Sequence, residues 1–305
     1  HHLVVDGVSW RVLLEDLQQA LAGAALPAKT SSYKAWAEKL HAWANSPALE
    51  AERGYWQGVL DAGDSALPQD NPQGSLRIDT AAHAASTLNE ELTSQLLKVA
   101  PAAYRTQVND LLLTALAQVL CQWSGKPSVL VQLEGHGRED LFDDIDLSRT
   151  VGWFSSLFPV RLTPATTAAA SICAIKEQLR AVPAKGIGFG VLRYLGDGDF
   201  AHKLAALPQP RVTFNYLGQF DGSFDPQQGA FALAAESSGQ PLCPQGPLGN
   251  WLSVNGQVFD GRLRLDWTYS REMFRADTIE ALARAYEQAL AALIEHCQAG
   301  NQGVT

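Results

Sequence analysis

The sequence of 305 residues predicts a mixed α/β protein built from packed layers. Three observations lead to this class. Apolar residues recur at helical spacing in several segments, which predicts amphipathic helices. Short β-branched runs bounded by glycine or proline are typical of buried strands. Helices and strands alternate irregularly along the chain, and no internal repeat is present.

The bulk composition narrows the classes of function. A hydrophobic content of 46% with 18% charged residues is typical of a globular protein with a large core, not of a disordered chain. The net charge of −9, without a basic stripe, argues against nucleic acid as a partner. The four cysteines are far apart and form no CxxC pair, so we expect reduced thiols and a cytoplasmic protein. No apolar run approaches the roughly 18 to 20 residues of a membrane span, so we expect no membrane contact.

The first third of the chain is predicted to be mainly helical. A stripe after residue 7 predicts a helix that buries one face, formed by Trp10, Leu13, Leu14, Leu17 and Leu21. Further helical stripes begin at Tyr33 and Leu49. A loop rich in aspartate, proline and glycine follows at 61–75, and residues 76–88 are weakly extended in pattern.

The rest of the chain alternates between the two kinds of element. The strongest helix is predicted at 106–123. The predicted strands are 128–133, 158–162 and 211–217, with a hairpin of 251–259 and 262–269 around Asp260-Gly261. A glycine-rich loop is predicted at 185–190 and a loop-dominated region at 221–250. A long amphipathic helix closes the chain.

The sharpest motif lies at the start of the chain. Residues 1–7 read HHxxxDG, in which two adjacent histidines and an apolar run lead to an Asp-Gly turn. Histidine has an unperturbed pKa of about 6.5, which allows proton transfer near neutral pH. The alternative is that His1 and His2 are the remnant of a tag, but a tag does not account for the Asp-Gly spacing that follows.

A second polar cluster follows the predicted strand 128–133. It contains Glu134, His136, Arg138 and Glu139, separated by two glycines, an order that aims polar side chains into a cleft. Two alternatives stay open: Glu134 is an ordinary surface carboxylate, and His136 orients its loop or acts as a ligand or base. No cluster has the spacing of metal ligands, and no serine stands in a GxSxG context. The glycines of 185–190 lack the strand, helix and Lys-Ser/Thr ending of a phosphate-binding loop.

Five segments resemble, in order, the motifs of the epimerization domains of nonribosomal peptide synthetases, which belong to the condensation-domain superfamily. They lie at 1–7, 134–139, 149–154 with Pro159-Val160, 183–190 and 214–220. The resemblance implies a chloramphenicol acetyltransferase-like fold, in which two sandwich-like lobes form a V around a tunnel. It assigns residues 1–85 to the remainder of an N-terminal lobe, whose upstream part is absent, and residues 86–305 to the C-terminal lobe.

The resemblance also implies an activity, the interconversion of L and D configuration at the α-carbon of an aminoacyl or peptidyl thioester. The substrate would arrive on the 4′-phosphopantetheine arm of a carrier domain, expected upstream in the same chain, and other synthetase domains would be further partners. No cofactor bound by the domain itself is expected. Inversion requires that a proton leaves one face of the α-carbon and returns on the other. Two alternatives are a condensation domain that forms amide bonds by acyl transfer and an inactive domain that recruits partner proteins.

Two residues are the expected proton carriers when the family's roles are transferred to matching positions. They are His2 and Glu134, each acting as base in one direction and as acid in the other. The sequence leaves open which is the base in the L-to-D direction. His1 is expected to be structural, packing or hydrogen-bonding behind His2.

Four further residues are expected to support the site. Asp6 is expected to pair with Arg138 and, with Gly7, to hold the motif loop without carrying a proton. Asn215 and Tyr216 match positions that line the site opposite the histidine, where they could orient the thioester carbonyl or a carboxylate. Their alternative is that of ordinary strand residues satisfied by neighbours.

Overall fold

The computed structural model describes residues 1–219, 231 and 234–301. Its strands are β1 (Ala81–Thr87), β2 (Val129–Gly135), β3 (Ser156–Leu162), β4 (Val212–Gln219), β5 (Leu252–Phe259) and β6 (Arg262–Ser270). Its helices are α1 (Gly7–Leu21), α2 (Tyr33–Trp43), α3 (Pro47–Glu50), α4 (Arg53–Asp61), α5 (Glu90–Lys98), α6 (Ala100–Tyr104), α7 (Val108–Ser124), α8 (Ala168–Arg180), α9 (Ile187–Tyr194), α10 (Gly198–Ala206) and α11 (Ala276–Asn301). Short 3₁₀ helices lie at Ile78–Thr80 and Pro183–Gly186.

The six strands form one mixed sheet in the order β1-β6-β5-β4-β2-β3. The pairs β1/β6, β5/β6 and β2/β3 are antiparallel, whereas β2/β4 and β4/β5 are parallel. Leu133 pairs with Phe214 in the parallel register of β2 and β4. Because parallel strands end at the same edge of a sheet, Glu134 and Tyr216 come to one edge.

The core lies between the sheet and the helices α7 and α11. Strand β6 turns every second residue towards this core, as the alternation of its sequence predicts, and the buried set is Leu263, Leu265, Trp267 and Tyr269. The hydroxyl of Tyr286 on α11 donates to the carbonyl of Leu112 on α7 over 2.9 Å. The buried apolar side chains of the sheet, α7 and α11 form one core from which water is excluded.

The predicted strands and the hairpin are confirmed, with boundaries shifted by one or two residues. Asp260 and Gly261 both adopt positive φ values, 50° and 69°, as a tight two-residue hairpin turn requires. The weakly extended segment 76–88 becomes a 3₁₀ turn followed by β1. The division into lobes at residue 85 falls within β1 and stays a prediction. The predicted loop 221–250 lies partly outside the described residues.

The predicted burial of the apolar stripe on α1 is wrong. Trp10, Leu17 and Leu21 are 54%, 48% and 72% exposed, and the buried residues of α1 are Ser9 and Val12. The helix contacts the segment 149–154 through polar groups, among them Asp16, which pairs with Arg149. Periodicity predicts that a helix has an apolar face, but it does not identify what covers that face.

The predicted glycine-rich loop at 185–190 is wrong from Ile187 onward, where α9 begins. Gly188 lies inside this helix, and close neighbours explain why the residue is a glycine. A Cβ there would approach Glu52 Oε2 to 2.1 Å and Leu49 Cδ1 to 2.9 Å. The glycine thus permits close packing of α9 against the helical segment around residue 50. No helix within the described residues combines the length and apolarity needed to cross a bilayer.

Candidate active site

His2 lies in a tight turn that precedes α1. Its Nδ1 lies 2.8 Å from the carbonyl oxygen of Val5. Because a carbonyl only accepts hydrogen bonds, Nδ1 must carry the hydrogen, so Nε2 holds the lone pair of the neutral ring. The ring packs on Trp153 with 4.4 Å between centroids. The turn and the indole therefore orient His2 with Nε2 available to take a proton.

His1 supports the turn rather than the neighbouring ring. Its Nδ1 accepts a hydrogen bond from the backbone N–H of Leu3 over 3.2 Å, and its carbonyl accepts from the N–H of Val4. The His1 ring thus bonds to the backbone of Leu3 and not to the His2 ring. The structural role expected for His1 is therefore exerted on the backbone of the motif.

Asp6 begins α1 as its N-cap residue. Its Oδ1 accepts hydrogen bonds from the backbone N–H of Ser9 over 2.8 Å and from the Ser9 hydroxyl over 2.7 Å. Its Oδ2 accepts from the backbone N–H of Phe154 over 3.2 Å. The carboxylate thus satisfies a donor at the helix start and also binds a distant segment of the chain.

The predicted pairing of Asp6 with Arg138 is confirmed. Nη2 of Arg138 donates to Oδ1 of Asp6 over 2.9 Å, and the two side chains are only 7% and 4% exposed. The other terminal nitrogen, Nη1, donates to the carbonyls of Leu147 and Thr150 over 2.8 and 2.6 Å. The guanidinium lies 4.2 Å from the centroid of the Phe154 ring. Arg138 therefore ties its own loop and the segment 147–154 to the histidine motif.

The ionised form of Asp6 is favoured despite its burial. Burial is the largest single influence and raises the pKa, but hydrogen bonds from Ser9, Arg138 and Phe154 together outweigh it and lower the pKa of the carboxyl. Asp6 therefore stays charged and accepts hydrogen bonds, which fits a bracing role.

The two glycines of the site differ in how much space a side chain would find there. Gly137 has φ 71°, and a Cβ there would approach the carbonyl oxygen of Phe154 to 1.6 Å, so only glycine lets the loop come this close. Gly7 is the first residue of α1 and has no atom within 4 Å of its Cβ position. The supporting role expected for Gly7 is therefore not steric.

Glu134 lies near the end of β2, half-buried in the wall of a cavity of about 400 Å³. Burial raises the pKa of its carboxyl, and the positive charge of protonated His2 opposes this rise. Tyr216, at the neighbouring strand end, lies in the same wall, and burial raises the pKa of its phenol, so its hydroxyl stays protonated. The same edge of the sheet therefore holds a proton acceptor and a neutral donor.

Asn215 does not share this wall. It pairs with Asn255 in the ladder of β4 and β5, and it lies outside the walls of both cavities described in this part of the structure. Successive residues of a strand point to opposite faces, so Asn215 and Tyr216 diverge. In the register that pairs Leu133 with Phe214, Asn215 is the one of the two that shares a sheet face with Glu134. The roles expected for these two residues stay predictions, as do those of His2 and Glu134.

Comparison with known proteins identifies the family. The model of the condensation domain family matches residues 1–304. The chain belongs to the condensation-domain family. Its mixed α/β architecture with a six-stranded sheet is the chloramphenicol acetyltransferase-like fold of that family.

Relatives of this condensation-family chain include large synthetases. One component of the linear gramicidin synthase of Brevibacillus parabrevis is 45% identical over 306 residues, which cover 98% of this chain and 4% of that protein. Chondramide synthase of Chondromyces crocatus is 46% identical over 312 residues, covering 98% of this chain and 8% of that protein. The chain spans less than a tenth of the length of either relative.

Among solved structures, the epimerization domain from the third module of tyrocidine synthetase B is similar over 99% of this chain and 69% of that chain. The two are 38% identical with a TM-score of 0.89. The X-domain from teicoplanin biosynthesis is 20% identical with a TM-score of 0.67 over 97% of this chain and 68% of that chain, which shows the shared fold alone.

His136 and Glu139 stabilise the conformation of the loop 134–139. His136 Nδ1 accepts the backbone N–H of Arg138 over 3.0 Å, and its Nε2 lies 3.3 Å from a carboxylate oxygen of Glu139. These contacts favour the loop-orienting interpretation of His136. Within the described ranges, no group of three or more His, Cys, Asp and Glu side chains is arranged to hold a metal ion.

Several residues of the site were not singled out from the sequence. Trp153 packs on His2 and lines a second cavity of about 540 Å³ beside the start of β3. Ser9 accepts a hydrogen bond from the N–H of Gly152 over 3.0 Å and donates to Asp6. Trp153 and Gly152 lie inside the matched motif at 149–154, so that motif contained a signal for them. Ser9 follows its motif by two residues, in the flank 8–11, which also resembles the epimerization branch, but its contacts were not predicted.

Proposed function

We propose that this condensation-family domain interconverts the L and D configurations at the α-carbon of an aminoacyl or peptidyl thioester. The substrate is held on the 4′-phosphopantetheine arm of a carrier domain of a nonribosomal peptide synthetase. The observation that carries the proposal is the half-buried carboxyl of Glu134 in the wall of a cavity. Burial raises the pKa of this carboxyl, and the positive charge of protonated His2 acts in the other direction. Similarity to an epimerization domain over nearly the whole chain supports it.

The proposed reaction moves one proton off the α-carbon and returns one to the opposite face. The base takes the α-proton, and the electron pair of the C–H bond moves into the thioester, which becomes an enolate. The second group, protonated, then donates its proton to the other face of the α-carbon, and the carbonyl re-forms. Reversal exchanges the roles of the two groups, and proton exchange with water restores them.

The environments of the two groups suit this exchange. A carboxyl with a raised pKa is a stronger base than a solvated one and holds its proton closer to neutral pH. The hydrogen bond from Nδ1 of His2 to Val5 leaves Nε2 to give or take the other proton. The neutral hydroxyl of Tyr216 in the wall with Glu134 is a donor suited to the enolate oxygen.

Partners follow from the same proposal. The curated relatives are far longer than this chain, which supports a place for it among other synthetase domains. A carrier domain would present the thioester, and the chemistry assigned to Glu134 and His2 calls for no cofactor bound by the domain itself.

The test supplies the protein with a carrier domain loaded with an L-aminoacyl thioester in deuterated water. We expect deuterium at the α-carbon and formation of the D product, detected by mass and chiral analysis of the released amino acid. His2→Ala and Glu134→Gln should each lower exchange by about 100-fold or more. His83→Ala and Glu177→Gln are matched controls, because they make the same substitutions outside both cavity walls. His83 lies on β1, and Glu177 lies on the exposed surface of α8.

Two outcomes would overturn the proposal. A protein that exchanges no α-proton but forms an amide when an amine acceptor is added would be a condensation domain. If the His2 and Glu134 variants exchanged at the parent rate, neither residue would carry a proton.

A further inference from the structure

A row of polar side chains crosses the face of the sheet that carries Glu134. In the parallel register that pairs Leu133 with Phe214, the next residues along the two strands, Glu134 and Asn215, lie side by side. Asn215 is in turn paired with Asn255 on β5. Paired residues of neighbouring strands project to the same face of a sheet, so the row runs from Glu134 through Asn215 to Asn255.

Asparagine is an unusual residue at these two places in the sheet. It is depleted in strands, and central parallel strands are typically apolar on both faces. The core face of β4 and β5 follows that rule, since Phe214 and Val254 are buried there. On the other face Asn215 is half-buried and Asn255 is exposed. Residues that depart from the local preference of their element are typical of functional sites.

The two asparagines also differ from the other polar residues on this face. Their polar neighbours are bonded to one another, in the pairs Gln132–Thr213, His83–Thr268 and Arg264–Asp266. The side-chain amides of Asn215 and Asn255 form no hydrogen bond with any residue in the described part of the chain, and neither amide is sealed from solvent. Each therefore offers an N–H donor and a carbonyl acceptor to a molecule lying on the sheet.

The spacing of the row determines which substrates can reach Asn255. Neighbouring strands are about 4.8 Å apart, so Asn255 lies about 10 Å from Glu134 along the row. An extended peptide advances about 3.3 to 3.6 Å per residue, so a chain with its C-terminal α-carbon beside Glu134 reaches Asn255 about three residues upstream. The opposite direction leads to β3 and to Trp153 just before it, which packs on His2. The open direction for a peptide is therefore towards β5.

We propose that Asn255 is a specificity-determining residue that hydrogen-bonds a backbone amide of a peptidyl substrate, so that the site prefers a peptidyl over an aminoacyl thioester. This inference rests on the proposed function, because it places the reacting α-carbon beside Glu134. A side-chain amide has the same donor and acceptor groups as a peptide unit, so it can bind a backbone whatever side chains the peptide has. An aminoacyl group is too short to reach Asn255 and gains nothing from it.

The experiment measures kcat/KM for α-deuterium exchange with two loaded carrier domains. One holds an aminoacyl thioester and the other a tetrapeptidyl thioester with the same C-terminal residue. We expect the parent protein to prefer the tetrapeptidyl substrate. In Asn255→Ala the ratio of the two kcat/KM values should fall about tenfold, mainly through a higher KM for the peptide, because one hydrogen bond to it is lost. Asn255→Gln keeps the amide and should keep part of the preference.

The matched control is Asn45→Ala. Asn45 is also exposed, but it lies between α2 and α3, outside the sheet and both cavity walls. This variant should keep the parent ratio of the two substrates. The Tm of Asn255→Ala should match that of the parent, because the substitution removes no internal hydrogen bond. A change in the ratio then reports on substrate binding and not on the fold.

The outcomes distinguish the two levels of the proposal. A parent protein that exchanges the aminoacyl substrate as well as the peptide, or an unchanged ratio in Asn255→Ala, would overturn the role of Asn255 and leave the proposed function intact. Equal losses with both substrates would assign the contact to the carrier domain. Self-association of the parent that Asn255→Ala abolishes, measured by sedimentation, would assign this face to a second copy of the chain and would also overturn the role. Absence of exchange with both substrates in the parent would overturn the proposed function and this inference with it.

Discussion

Asp6 and Arg138 stand 132 residues apart in the chain and share a hydrogen bond of 2.9 Å between Oδ1 and Nη2. Both side chains are buried, and each makes further bonds to backbone groups of other segments. Removing one partner of a buried pair leaves the other charge without compensation. The pair therefore couples the placement of the histidine motif to the stability of the whole fold.

We expect Asp6→Ala to lower the free energy of unfolding by about 3 to 5 kcal/mol, since it strands the Arg138 guanidinium. The double variant Asp6→Ala/Arg138→Ala should lose less than the sum of the single variants. Denaturant unfolding measures both. Glu90→Ala removes an exposed partner of Arg262 and should cost below about 1 kcal/mol. A stably folded but inactive Asp6→Ala would count against the bracing role.

The stabilisation by Asp6 should depend on pH in a defined direction. Its pKa is lowered in the folded state relative to the ordinary value of 3.8, so the ionised form stabilises the fold above that value. This contribution is lost as the pH falls through the lowered folded pKa. The difference in unfolding free energy between parent and Asp6→Asn should therefore shrink on acidification below about pH 4. A difference that stays constant as the pH falls well below that point would contradict the ionic role.

Glu134 should behave in the opposite way. Its folded pKa is raised above 4.5, so the neutral form is favoured by folding, and that contribution is lost as the pH rises through the folded pKa. Glu134→Gln should therefore be at least as stable as the parent at about pH 7, while exchange falls by about 100-fold or more. Thermal unfolding and deuterium incorporation check the two halves. A destabilised variant would show that the charged carboxylate serves the fold.

Trp153 should contribute to the placement of His2. Replacing it with alanine removes the ring contact at 4.4 Å, and aromatic pairs of this kind contribute about 0.5 to 1.5 kcal/mol. We expect exchange to fall up to about tenfold and the ring-current shift of the His2 Hε1 resonance to disappear. Trp153→Phe should keep part of both, and Trp10→Ala, at an exposed indole, should change neither. An unchanged His2 resonance in Trp153→Ala would refute the contact.

Gly137 and Gly7 form a matched pair for a steric test. Gly137→Ala should lower the free energy of unfolding by about 2 to 4 kcal/mol, because the new Cβ meets the Phe154 carbonyl and the backbone is left-handed. Gly7→Ala has open space and should be close to neutral, within about 0.5 kcal/mol. Equal effects from the two substitutions would show that the close approach at Gly137 is not needed.

The helices and strands could be predicted from the sequence because the spacing of apolar residues indicates which side chains are buried in the core. The 262–269 strand and the 106–123 helix were predicted on that basis. The same pattern misled at α1, whose apolar stripe is exposed. It misled again at Ile187, where glycines that let helices pack closely have the composition of a loop.

The site was accessible in part. The motifs located His2, Glu134 and the Asp6–Arg138 pair, because each contains its own local signature. The contacts of Ser9 with Gly152 and of His2 with Trp153 join segments more than 140 residues apart. Such packing leaves no periodic trace in either segment. Which of Asn215 and Tyr216 shares a sheet face with Glu134 depends on the register of β2 and β4, which the sequence alone does not reveal.

The partners of Asp6 at Arg138 and Phe154 have a consequence for the order of folding. A ribosome makes the histidine motif well before these partners, which lie 132 and 148 residues further along the chain. Contacts of such long separation require a large loop to close, which slows their formation. The motif can therefore be held in place only after these segments have been made, so we expect the position of His2 to become fixed late in folding.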